Sequence, residues 1–96
     1  MQEKPSKSAL IRFSHEAEKH FVQLDQSMRR RVIERTELLS ADPYNPHLGK
    51  ILKGTSELRS SRIGSWRMLY RIEQKEPSGE IQILAIRPRG RAYRNL

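Results

Sequence analysis

The sequence predicts an α+β domain: two N-terminal helices packed on one face of a small, mostly antiparallel four-stranded sheet, in the order β-α-α-β-β-β. Three observations carry this. Helical stripes occupy residues 14–42, apolar runs of strand type dominate after residue 57, and a chain of 96 residues builds one core. A two-domain enzyme with its own cofactor module is excluded. Cysteine is absent, which excludes disulfides, a thiolate nucleophile and a Cys-based zinc site, and no metal or other cofactor is expected. No apolar run approaches the roughly 18 residues of a membrane span, and the start MQEKPSKS has no apolar signal region, so a cytoplasmic protein without a membrane partner is expected.

Residues 1–8 read as a loose polar tail and residues 9–96 as the single domain. A short strand at 9–13 turns Ile11 and Phe13 to one face. Ser14 suits a helix N-cap, and Glu16 and Glu18 suit the positive end of the helix that follows. Ala17, Phe21, Leu24 and Met28 form one stripe, with a break near residues 25–27. The second helix is expected to turn Met28, Val32, Leu38 and Leu39 inward and to stop at Asp42-Pro43, because the residue before proline avoids helical geometry. Its Arg29-Arg30-Arg31 run reads mostly as a solvated face, offset by Glu34 and Glu37. Residues 43–57 read as a polar connection. A strand at 58–63 then meets Gly64-Ser65, a dipeptide suited to a two-residue II′ hairpin turn. Residues 66–73 alternate, with Trp66, Met68, Tyr70 and Ile72 on one side. A second turn at 76–79 precedes a nearly continuous apolar strand at 81–86, as expected of a strand covered on both faces.

Charge gives the first functional pointer. Nineteen Lys and Arg against eleven Asp and Glu leave a net charge of +8, so a polyanion is the first partner to consider. Most of that excess lies after residue 48, and arginine, whose planar fork suits phosphate, outnumbers lysine. The Gly64-Ser65 turn sets Arg62 opposite Arg67. Like charges directly opposite on a sheet destabilise it, and such conflicts tend to mark functional sites. The tail IRPRGRAYRNL adds Arg87, Arg89, Arg91 and Arg94 around Tyr93, the mixture of guanidinium and ring that binds single-stranded RNA.

The segment GTSELRSSRIGSWRMLYRI, followed by ILAIRPRGRAY, resembles the RelE/ParE superfamily of type II toxins, over roughly residues 9–94. The tail is most similar to archaeal-type RelE. The resemblance implies a RelE-like fold and a ribosome-dependent endoribonuclease that cuts mRNA in the ribosomal A site, held inactive by a cognate antitoxin. It implies catalytic roles for Arg62, Arg67 and Arg89, and matches Tyr93 to the terminal tyrosine. Where the bacterial RelE form carries a lysine pair, this sequence has Ser60 and Ser61.

Cleavage of RNA by its own 2′-hydroxyl needs a proton acceptor, charge stabilisation on the phosphorane and a proton for the leaving oxygen. Arginine cannot accept the proton. Lys50, Lys53 and Tyr93 remain for proton transfer, whereas His15, His20 and His47 read as structural or solvated. Lys50, Arg59, Arg87 and Arg91 are expected to bind RNA around the catalytic set. Two alternatives share this surface: a ParE-like toxin that poisons DNA gyrase, and an RNA- or ribosome-binding module that does not cut.

Overall fold

The computed structural model describes residues 8–55 and 57–89; most of the expected tail, together with Arg91 and Tyr93, lies outside the described residues. The chain runs through β1 (Leu10–Phe13), α1 (His15–Val22), α2 (Gln26–Ala41), β2 (Lys50–Ile51), β3 (Arg59–Ile63), β4 (Trp66–Glu73) and β5 (Glu80–Pro88). Ser14 caps α1, its hydroxyl accepting from the Ala17 N–H at 3.0 Å while donating to the Leu84 carbonyl of β5. The side chain of Asp25 caps α2 by accepting from the Met28 N–H at 2.8 Å, which fixes the break between the helices. Asp42 ends α2 just before Pro43.

One expectation about α2 needs correction. Leu38 is 54% exposed, and the buried stripe is Val32, Thr36 and Leu39. Positions 32, 36 and 39 lie within one narrow arc of a 3.6-residue helix, and 38 falls on the far side. Thr36 tolerates burial because its hydroxyl donates to the Ile33 carbonyl at 2.7 Å. The arginine run is mostly solvated, as expected, with Arg30 and Arg31 exposed and Arg29 half-buried. The Arg29 guanidinium donates to the Leu24 carbonyl at 2.6 Å and closes the end of α1.

The sheet has five strands in the order β1-β5-β4-β3-β2, with β1 parallel to β5 and every other neighbour antiparallel. The additional strand is β2, two exposed residues paired with Arg59 and Ser60 inside the stretch read as a connection. Two residues carry no periodicity to read. Ala17, Leu24, Val32 and Leu39 of the helical layer pack against Ile63, Met68, Tyr70, Ile81, Ile83 and Ile86 of the sheet. Ile83 and Ile86 are an odd number of residues apart yet both join this core. The register explains it: Leu69 pairs with Ala85 but Tyr70 with Ile83, so Leu84 is an extra residue that resets the alternation. Among the described residues the opposite face of the sheet carries no helix.

The β3–β4 hairpin is as the sequence implies. Gly64 has φ +61°, Ser65 does not have positive φ, and Ile63 pairs with Trp66 and Arg62 with Arg67. A glycine is also required at position 49. A Cβ there would stand 1.9 Å from the Tyr70 hydroxyl, so the chain before β2 lies directly on that ring.

Candidate nucleic-acid interface

A row of arginines crosses three strands on the helix-free face. Arg62 of β3 stands opposite Arg67 of β4, and Arg67 stands opposite Arg87 of β5. In a two-residue hairpin the pair flanking the turn exchanges the ladder hydrogen bonds, so Arg62 and Arg67 form the closer, non-hydrogen-bonded type of pair, with Cα atoms about 4.5 Å apart. Arg89 follows Arg87 by two residues. Its backbone N–H donates to the Ser65 carbonyl at 2.9 Å and its guanidinium to the Gly64 carbonyl at 3.3 Å, which holds it beside the hairpin turn. Among the described residues no carboxylate forms an ion pair with Arg62, Arg87 or Arg89.

Beside this row a cavity of about 460 Å³ opens at the edge of β3. Its wall includes Arg62 and Arg67, Ser60, the segment His47, Leu48, Gly49 and Lys50, and Arg35 of α2. The Arg35 guanidinium donates to the Ser61 hydroxyl at 2.7 Å and to the Arg62 carbonyl at 2.8 Å. Ser61, fully buried, passes the connection on by donating to the Leu48 carbonyl at 2.6 Å. Helix, strand and loop are thereby tied together at one wall. Under the cavity, burial pushes the Tyr70 hydroxyl above its usual pKa, while the positive charges of Arg59 and Arg35 pull the other way.

The other end of the same face is differently built. Glu80, 2% exposed, receives Arg12 Nε at 2.6 Å, Lys75 Nζ at 3.0 Å and Gln82 Nε2 at 3.3 Å. These bonds, Arg12's first, hold its carboxyl at about 2, well below the usual 4.5. The same bond and the charge of Glu80 raise Arg12. Arg71 meets Glu73 at 3.4 Å and Glu57 at 3.7 Å, and Lys75 also reaches Glu73.

The residues singled out from sequence are distributed accordingly. Arg62, Arg67 and Lys50 share the cavity wall, Arg87 joins the row, and Arg89 lies at the turn. Lys53 is exposed in the turn after β2 and is not on the cavity wall. The Arg59 guanidinium lies 5.0 Å from the centre of the Tyr44 ring, and its strand partner is the core residue Tyr70, which sets it on the helix side of the sheet. Two ionisable residues on the wall were not assigned to it from sequence, Arg35 and His47. Arg35 sits in a helix among other charges, where nothing in the spacing marks it, and His47 follows a proline in a stretch without periodicity. His20 has a structural role, its Nδ1 accepting from the Ile86 N–H at 3.2 Å.

Comparisons with known proteins add the following. A family model described as the ParE toxin of the type II toxin-antitoxin system parDE matches residues 11–93. Among solved structures, the toxin-antitoxin complex RelBE2 from Mycobacterium tuberculosis has a chain 27% identical, with a TM-score of 0.72, over 85% of this chain and 99% of that one. A chain of the archaeal RelE-RelB complex from Pyrococcus horikoshii OT3 is 25% identical, with a TM-score of 0.71, over 88% and 98%. A mutant E. coli toxin RelE in the free state shares the fold at 12% identity, with a TM-score of 0.71 over 90% and 88%. The search of curated proteins returned no match.

Proposed function

This chain belongs to the ParE toxin family of type II toxin-antitoxin systems, within the RelE/ParE superfamily, and from that premise we propose that it is a ribosome-dependent endoribonuclease acting on mRNA. The observation that carries the reading is the row Arg62, Arg67 and Arg87, on the sheet face opposite the helices. Cations set side by side on neighbouring strands cost the fold and suit a phosphate gaining charge.

In this reading the mRNA backbone lies across the row, with the scissile phosphate at Arg62, Arg67 and Arg89. The 2′-hydroxyl loses its proton and its oxygen attacks the adjacent phosphorus. The bond to the 5′-oxygen breaks, that oxygen takes up a proton, and a 2′,3′-cyclic phosphate and a 5′-hydroxyl remain. The guanidinium groups stabilise the charge on the phosphorane. His47 and Lys50, both on the cavity wall, carry the protons; Lys53 is too far round the β2–β3 turn to share that wall. The relatives from M. tuberculosis and P. horikoshii were crystallised as toxin-antitoxin complexes, which supports an antitoxin for this chain as well. A partner with acidic residues would match the +8 charge.

The family model itself favours a second reading, a ParE-like toxin that poisons DNA gyrase through protein contact. Mapping mRNA 5′ ends after induction separates the two. New ends inside ribosome-covered codons are expected. Intact mRNA with an SOS response would establish the gyrase reading instead, and neither response would leave a binding module.

A further inference from the structure

Resting on the reading that the arginine row binds RNA, we propose that Arg35 is a positioning residue for Arg62: α2 reaches across the unpaired edge of β3 and fixes the main chain from which Arg62 projects. β2 pairs only with Arg59 and Ser60, so among the described residues β3 has no strand neighbour on that side from Ser61 onward. Hairpin geometry turns the Arg62 N–H and C=O away from β4, toward that open edge. The Arg35 guanidinium donates to this carbonyl at 2.8 Å and to the Ser61 hydroxyl at 2.7 Å. Two consecutive residues of β3 are thus held from the helix, immediately beside the cavity.

The choice of residue type points beyond folding. An uncharged donor could satisfy an edge carbonyl, yet here a third guanidinium joins the wall that already holds Arg62 and Arg67. One turn earlier on α2 stands Arg31, whose Nη1 would lie 2.8 Å from a Cβ at Gly64, so a second helical arginine lies against the same hairpin. Like charges at i and i+4 disfavour a helix. Their placement makes sense if the hairpin arginines must be held steady while an anion sits on them, since a bound phosphate offsets the repulsion and depends on where Arg62 points.

Four purified proteins test this: wild type, Arg35→Met, Arg62→Ala and the double variant, each titrated with a labelled single-stranded RNA 12-mer and each melted. Arg62→Ala is expected to weaken RNA binding about tenfold, the scale of one charge-assisted contact. Arg35→Met should lose nearly as much alone but less than about twofold more in the Arg62→Ala background, the non-additivity of residues acting as one unit. Its melting temperature should drop equally in both backgrounds, because the Arg62 carbonyl survives Arg62→Ala. Arg35→Lys should recover most of the affinity, since an ammonium can donate to both oxygens. If Arg35→Met is too unstable to measure, Arg35→Gln in both backgrounds is expected to show the same non-additivity. Additive losses, or no loss from replacing Arg35, overturn the positioning role and leave the RNA reading standing. No loss from Arg62→Ala overturns the RNA reading and the positioning role with it.

Discussion

Arginine stands at both ends of the helix-free sheet face, and the two ends differ in what stands beside it. Near Glu80, each cation has an acid. Arg12 and Lys75 meet Glu80, and Arg71 meets Glu73 and Glu57. Near the Gly64 turn, Arg62, Arg87 and Arg89 have no such partner among the described residues, and Arg67 stands between two other arginines in the row. The first arrangement closes the end of the sheet near the parallel β1–β5 pair. Among the described residues the second leaves Arg62, Arg87 and Arg89 without an acid, where a hairpin turn and an edge cavity offer access. A net charge of +8 points to a polyanion, but the pairing pattern says where on the surface it goes.

The largest expected effect tests the unmatched end. Arg89→Ala should cut ribosome-bound mRNA about 10²–10³ times more slowly, the usual cost of removing one fixed donor to a developing oxyanion. Arg89→Lys should also be impaired, because an ammonium cannot reproduce the planar fork. The contrast is Arg71→Ala, at the matched end, which should leave cleavage within about threefold, as a surface change outside the site does. Equal losses from Arg71 and Arg89, with both proteins folded, would break the distinction between the two ends.

His47→Ala comes next. Loss of a proton-transfer group should slow cleavage about 10²-fold, with RNA affinity little changed. Imidazole added to the buffer should restore part of the rate, which it would not do for a residue that merely packs. A slow variant that imidazole leaves slow would remove His47 from the proposed chemistry.

How much of this was legible in the sequence depended on local rules. Arg62 opposite Arg67 could be read because a two-residue turn fixes its own register. Arg87 opposite Arg67 could not, since the extra residue Leu84 shifts the β4–β5 pairing and nothing local marks it. The helix caps Ser14 and Asp25 follow from side-chain chemistry, whereas Leu38 was misassigned because two adjacent leucines leave the phase of a stripe open. Arg35 and His47 reach the wall through tertiary placement alone. The unpaired edge that Arg35 covers exists only once β2 has ended after two residues.

The matched end predicts a stability effect in place of an activity effect. The Glu80 carboxyl sits at about 2 when folded, against an ordinary 4.5, because Arg12, Lys75 and Gln82 donate to it. Over that interval the folded state binds fewer protons than the unfolded state, so stability falls as pH drops from 4.5 toward 2. Melting curves from about pH 6 down to about pH 2 should show this loss in wild type and a flatter profile in Glu80→Gln, which has no carboxyl to protonate. Above pH 4.5 the variant should melt lower than wild type yet bind RNA as well. A variant with wild-type acid sensitivity would mean that Glu80 contributes nothing particular to that end.

The smallest effect is the sharpest measure of where RNA lies. Each phosphate neutralised on a single strand releases counterions, and the slope of log affinity against log salt is about −0.7 per contact. Arg62→Ala should therefore flatten that slope by about 0.7, as should Arg87→Ala. Arg71→Ala should not, because Arg71 already spends its charge on Glu73 and Glu57 and releases no counterion to RNA. The slope is insensitive to modest changes in fold stability, so it distinguishes a contact from a scaffold more cleanly than affinity at one salt concentration does. An Arg71→Ala slope change as large as that of Arg62→Ala would place RNA across the whole face, the acid-matched end included. A flat salt dependence in the wild type would remove nucleic acid from the face altogether.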